Sequence, residues 1–364
     1  KRLRSYLRSI RVNKESKENI MKLMKTEEAV GQVLCHDITQ IIPGVTKDAV
    51  FRKGHIITKE DIPVLLSVGK EHIYIWEKDE HMLHENEAAQ ILYEMCRNEH
   101  MHPSAVKEGK IELIADCDGL FKVDREKLRK VNSLGEMMIA TRHGNTFVKK
   151  GDKLAGTRII PLVIEKEKME RAKEICNDGS ILEIKPLQPK KAAILTTGSE
   201  VYHGRIQDKF TPVLVEKLKE YGSEVIFHEI YDDDHEAITK GCLSAIEQGA
   251  ELVLCTGGMS VDPDDKTPLA IKNTGARIVS YGAPVLPGAM FLVSYYEYKD
   301  KTIPIVGLPG CVMYAKRTIF DLALPRLLAD DFITAEELAL LGEGGLCLNC
   351  PVCTYPNCGF GKGW

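Results

Sequence analysis

The sequence predicts an α/β protein: a three-layer domain whose parallel sheet carries helices on both faces, plus smaller α+β and β-rich modules on its N-terminal side. Two observations predict the large domain. Apolar runs at 192–195, 251–255 and 302–306 each read as a buried strand, and each ends in a glycine-rich segment. Strand and helix patterns also alternate from 190 to 330, which implies parallel strands joined by helical crossovers. In open sheets of this kind, ligands bind beyond the carboxyl ends of the strands.

The elements follow in chain order. Residues 1–25 form a basic extension, with Met21 a candidate natural start. Residues 26–80 form a small β-rich module, with strands expected at 30–38, near 51–57 and at 72–76. Thr58 and Asp61 suggest a capped helix through Leu66, ended by Gly69. Residues 81–185 are a mixed module. It has helices expected at 85–97, near 124–131 and at 165–176, a strand at 110–115, and a turn and strand across 148–164. Pro186 and Pro189 flank the next boundary. The large domain spans 186–334. It holds a helix over 209–221 with Pro212 in its first turn, a strand at 224–228, and a helix through Gln248 capped by Asp232, Asp233 or Asp234. Residues 335–364 form a cysteine-rich tail.

Composition sets the class. The chain has 364 residues, 44% hydrophobic and 28% charged, with a formal net charge of −4. That balance suits a soluble globular protein and gives no sign of a nucleic-acid partner. No apolar run approaches the roughly 20 residues that span a bilayer, and no apolar signal region stands near the first residues. A cytoplasmic location is expected. Of eleven cysteines, seven are scattered (Cys35, Cys96, Cys117, Cys176, Cys242, Cys255 and Cys311) and read as small buried hydrophobes. The other four, Cys347, Cys350, Cys353 and Cys358, are spaced C-x2-C-x2-C-x4-C, which suits zinc or an iron–sulfur cluster, with disulfides the alternative. His36, His55, His143, His203 and His235 show no ligand pairing and read as surface or structural residues.

The three loops carry the chemistry. In Thr196-Thr197-Gly198-Ser199-Glu200, glycine admits a close ligand and hydroxyls can donate to phosphate. Glu200 is too acidic to face a phosphate without a cation between them, so it reads as a magnesium site; a helix-start capping box is the plainer alternative. Thr256-Gly257-Gly258-Met259-Ser260 can present amides to an anion, and Asp262, Asp264 and Asp265 follow it. Gly307-Leu308-Pro309-Gly310 closes the third strand. Together these loops form a site for a phosphorylated or otherwise anionic ligand.

In order and wording, the loops resemble the molybdopterin-binding domain of the molybdopterin molybdenumtransferase family, over residues 190–328. The resemblance implies that Thr197, Gly198, Ser199, Thr256, Gly257, Gly258, Ser260, Gly307, Pro309 and Gly310 bind molybdopterin. It implies catalytic roles for Asp265 and Glu200, and Mg²⁺ or molybdate on Glu200, Asp262 and Asp265. The segment 281–288 resembles the family's substrate-contacting loop. The family often has glycine where Asp262 stands and Asn-Pro where Cys311-Val312 stands. Its Met-Asp-Gly-Tyr-Ala segment and all-β C-terminal domain have no counterpart in this sequence. The implied activity is Mg²⁺-dependent molybdate insertion into adenylylated molybdopterin with AMP release, in a homo-oligomer that binds neither nucleic acid nor membrane. The alternative is a non-catalytic carrier or sensor of the cofactor that serves a molybdoenzyme through its thiol-rich tail.

Overall fold

The computed structural model describes residues 21–42, 46–76 and 81–363. The basic extension expected at 1–25 therefore lies, for residues 1–20, outside the described residues.

The large domain is built on one six-stranded sheet. Its strands are β1 (Lys191–Thr197), β2 (Glu224–Tyr231), β3 (Leu252–Thr256), β4 (Arg277–Tyr281), β5 (Leu292–Tyr298) and β6 (Lys301–Leu308). The order across the sheet is β2-β1-β3-β6-β5-β4. β2, β1, β3 and β6 run parallel, as the alternating pattern predicts. β5 and β4 are antiparallel additions at one edge. The sheet is thus parallel at its centre and mixed at that edge. β5 and β6 meet across a tight hairpin at Lys299 (φ 53°) and Asp300, too short for a helical crossover.

The helices are α1 (Ser199–Tyr202), α2 (Phe210–Lys219), α3 (His235–Glu247), α4 (Thr267–Asn273), α5 (Ile319–Leu328) and α6 (Ala335–Leu340). Alternation along β1 distributes them. Ala192 and Ile194 face a core with Phe210 and Leu214 of α2 and with Phe320 and Leu324 of α5. Ala193 and Leu195 face a second core with Ile238, Cys242 and Ala245 of α3 and with Ala270 of α4. A strand buried on both faces must be apolar at every position, and burying each large aliphatic side chain contributes about 1.5–3 kcal/mol. This explains why 192–195 and 252–255 are unbroken apolar runs. Asp234 caps α3, accepting from the amides of Glu236 and Ala237.

Upstream, Met21–Lys25 pairs with His72–Trp76 and Ile38–Ile42 with Thr46–Phe51, both antiparallel. The strand expected at 30–38 starts only at Ile38; Val33 and Leu34 make isolated bridges. Phe51 ends a strand rather than beginning one. The helix Asp61–Ser67 forms as expected, with Asp61 accepting from the Thr58 hydroxyl at 2.9 Å. In the next module, helices Glu85–Cys96, Arg125–Ser133 and Lys166–Ile175 accompany three antiparallel sheets, of four, three and two strands.

Asp331, just past α5, ties this module to the large domain. It bonds Lys122 and Lys185, on two paired strands of the module, at 2.8 Å each, and Arg326 of α5 at 2.7 Å. The cysteine-rich tail is not a free appendage. Phe360 is part of the α2/α5 core, and Tyr355 donates to the Asp321 carbonyl at 2.9 Å.

Candidate functional site

The ends of β1 and β3 are locked together before any ligand is considered. The Thr197 hydroxyl donates to the Thr256 carbonyl at 3.0 Å and meets the Thr267 hydroxyl at 2.9 Å. Both Thr197 and Thr256 are buried, and Thr256 Oγ1 has no partner among the described residues. These two threonines therefore set the spacing between the loops and do not line an open surface.

Gly257 and Gly258 follow with φ of 80° and 53°. A Cβ on Gly257 would lie 2.1 Å from the Thr197 carbonyl oxygen, and one on Gly258 would lie 2.8 Å from the Thr267 hydroxyl. Only glycine fits here, on conformational and steric grounds together. Gly307 serves packing of another kind: it lies inside β6, where a Cβ would fall 2.6 Å from the Met259 thioether. Gly307 and Pro309 are buried, while Gly310 is exposed with open space around it. Of the third loop, only Gly310 is available to a ligand.

The loop amides already bind oxyanions. The Ser199 amide donates to Asp233 Oδ2 at 2.9 Å, and the Ser260 amide donates to Asp265 Oδ2 at 2.6 Å. Two internal carboxylates thus already occupy one amide of each loop. Burial raises the pKa of Asp233, and the nearby charges of Asp232, Glu200 and Asp265 add to this; the Ser199 amide opposes it. Acidic groups of both the first and the second loop therefore reach Asp233. Asp262 contributes its carbonyl, which accepts from the Asp265 amide at 3.0 Å, and its side chain is exposed.

Two groups support the loops; Tyr281 begins the segment singled out in the sequence, whereas Asp208 escaped sequence reasoning. Tyr281, on the antiparallel strand β4, donates to the Met259 carbonyl at 2.9 Å and so braces the second loop. Asp208 accepts from the Thr211 hydroxyl at 2.6 Å, the Thr196 hydroxyl at 3.1 Å, and the amides of Phe210 and Thr211 at 2.8 and 3.1 Å. His228 Nε2 stands 3.0 Å from the Thr211 hydroxyl and 3.4 Å from Asp208. Burial would raise the Asp208 pKa, but these hydrogen bonds outweigh it and hold the carboxyl below its ordinary value. The spacing Asp208-x-x-Thr211 at the start of α2 is a capping signature and was the available signal.

The metal expectations fare differently. Among the described residues, no three His, Cys, Asp or Glu side chains are gathered as a metal-holding group. Glu200, Asp262 and Asp265 do not converge, since Asp265 is turned onto the Ser260 amide. Cys347, Cys350, Cys353 and Cys358 line one cavity of about 490 Å³ together with Lys316 and Arg317, as separate thiols. Among the described residues these four thiols are not gathered as a metal-holding group. The segment is held from outside: the Cys347 amide bonds the Leu286 carbonyl, and Lys316 bonds the carbonyls of Cys350 and Pro351.

Comparison with known proteins covers the same region. Residues 193–329, under half of the chain, match the family model described as "Probable molybdopterin binding domain"; residues 23–77 match a domain of unknown function. A molybdopterin adenylyltransferase of Pyrococcus furiosus is 27% identical over 135 residues, 37% of this chain and 76% of that protein. A CinA-like protein of Mycobacterium tuberculosis is 35% identical over 77 residues, 21% of this chain; this chain spans only 18% of its length. Among solved structures, the tungsten cofactor synthesizing protein MoaB of Pyrococcus furiosus is similar at 21% identity. That match covers 34% of this chain and 84% of that one, with a TM-score of 0.30.

Proposed function

We propose that this chain serves molybdenum cofactor biosynthesis by binding molybdopterin, free or adenylylated, at the carboxyl ends of β1, β3 and β6. One observation carries the reading: the amides of Ser199 and Ser260 are each bonded to a carboxylate oxygen in the protein itself. A phosphate oxygen makes the same kind of bond and would displace Asp233 and Asp265 from these donors. The match of residues 193–329 to the molybdopterin-binding family supports the choice of pterin.

Gly257 and Gly258 let the phosphate approach the backbone, and Gly310 leaves the third loop open to the rest of the ligand. Asp265, once displaced, lies beside the bond between the pterin phosphate and AMP. The reaction proposed adds water across that phosphoanhydride, leaving the pterin with its phosphate and releasing AMP, while molybdate exchanges an oxo oxygen, lost as water with the two thiol protons, for the two dithiolene sulfurs. Magnesium and molybdate would accompany the substrate.

A second reading is the reverse partner of this chemistry, in which the adenylyl bond is made from ATP and pyrophosphate leaves. The adenylyltransferase relative favours it. The carrier reading, in which the pterin is bound and passed on to an acceptor enzyme, is the non-catalytic outcome of the same test. Purified protein is incubated in one arm with adenylylated molybdopterin and molybdate, in another with molybdopterin and ATP. AMP release in the first arm supports the insertion reaction, pyrophosphate in the second supports adenylyl transfer, and tight binding without either makes the protein a carrier. No binding of either pterin in the micromolar range defeats the reading.

A further inference from the structure

Between α5 and the module of residues 81–185 lies a cleft of about 440 Å³. One wall is apolar, with Ile319, Leu322 and Leu338 among its residues. The other is the start of the helix Arg125–Ser133, together with Asn145. No residue of the three glycine loops lines it, so the cleft is separate from the site above.

Nearly every charge on its wall is already matched. Lys122 is bonded to Asp331 at 2.8 Å. Arg326 is bonded to Asp331 and, through Nη2, to both oxygens of Glu337 at 3.0 and 2.9 Å. Asp124 caps its helix by accepting from the Lys127 amide at 2.9 Å, and Glu126 pairs with Arg129. Arg125 differs. It is partly buried, and its side chain makes no hydrogen bond or ion pair among the described residues. Glu337, the carboxylate whose charge reaches it, is committed to Arg326. Burial disfavours the charged guanidinium and lowers its pKa, with Glu337 opposing only in part.

We propose that this cleft binds a small organic carboxylic acid, with the carboxylate on Arg125 and an apolar body against Ile319, Leu322 and Leu338. A guanidinium offers a planar fork that fits a carboxylate with two parallel bonds. A partly desolvated cation, reached by a carboxylate that is committed to another guanidinium, is costly, and a ligand anion offsets that cost. The single uncommitted cation selects a monoanion, since a phosphate dianion would need a second free charge and Lys122 and Arg326 are both engaged. The cavity lies in the size range of small-molecule sites. Because α5 forms one wall and the upstream module the other, an occupant would also draw the two together. The inference stands apart from the pterin reading and survives its failure.

Isothermal titration calorimetry of the full chain with naphthoate and with octanoate tests it, using neutral naphthamide as the uncharged control. Binding of at least one acid with Kd below about 1 mM is expected. Arg125→Gln should weaken that binding by about tenfold or more while leaving the weak naphthamide binding unchanged. Ala323→Leu, which narrows the cleft without touching charge, should weaken it as well. Two results overturn the proposal: neither acid binds, or acid affinity is the same in Arg125→Gln as in the unaltered protein. Loss in Arg125→Gln with full binding in Ala323→Leu would also overturn it, because the acid would then sit outside the cleft.

Discussion

Asp331→Asn removes the charge that joins the upstream module to the large domain and keeps the side chain's shape. Asp331 is 7% exposed, beside Arg326 at 8% and Lys122 at 22%. Burial alone would raise its pKa, but Arg326 and the hydrogen bonds from Lys122 and Lys185 prevail and hold the carboxyl at about 2, against an ordinary 3.8. One pKa unit corresponds to about 1.36 kcal/mol, so the displacement contributes on the order of 2 kcal/mol at neutral pH. Removing one partner also leaves Arg326 and two lysines without their anion, and breaking a buried pair costs about 3–5 kcal/mol. Asp331→Asn should therefore lose about 2–5 kcal/mol of unfolding free energy at pH 7. The folded pKa is depressed, so the contribution is complete above the unfolded pKa of roughly 4 and disappears as pH falls toward 2. Urea unfolding followed by circular dichroism between pH 7 and pH 2 measures both effects. The gap between the two proteins should be constant from pH 7 to about 5 and then close. A gap under about 0.5 kcal/mol at pH 7, the range of an ordinary surface substitution, would refute the reasoning. So would a gap that stays constant down to pH 2.

Four further outcomes are expected. Gly257→Ala forces a left-handed alanine, at about 1–2 kcal/mol, and drives its Cβ into the Thr197 carbonyl; thermal midpoint and molybdopterin affinity should both fall. Gly310→Ala, with open space around it, should leave the midpoint unchanged, and an equal drop in both variants would rule out the steric account. Asp265→Ala frees the Ser260 amide, so pterin binding should persist while AMP release is lost; undiminished release would remove Asp265 from the chemistry. Asp208→Ala removes the cap of α2 and should cost about 1–2 kcal/mol in denaturant unfolding.

The sequence by itself determined the four parallel strands, the first two long helices between them and the three glycine loops. Strands buried on both faces must be apolar throughout, and turns that approach another backbone must be glycine, so both leave local signals. It also located the capped helix at Asp61, where a short side chain bonds an amide a few residues away, and the helix near Asp124, whose cap the structure added. The antiparallel pair β4 and β5 left no such signal: β4 is an exposed edge strand, and its direction is fixed by pairing rather than by its own residues. Which loop residues face outward was likewise decided by packing. Thr197, Thr256 and Gly307 belong to the loop motifs, yet they are buried by Thr267 and Met259, residues of other segments. The four tail cysteines have the spacing of a metal site, but their placement depends on Leu286, Lys316 and Tyr355 holding the segment against the large domain. Spacing records how near groups lie along the chain; only tertiary contacts decide whether their side chains meet. For the same reason the Asp331 cluster and the Arg125 cleft, both formed across segments up to about two hundred residues apart, are features of the folded protein alone.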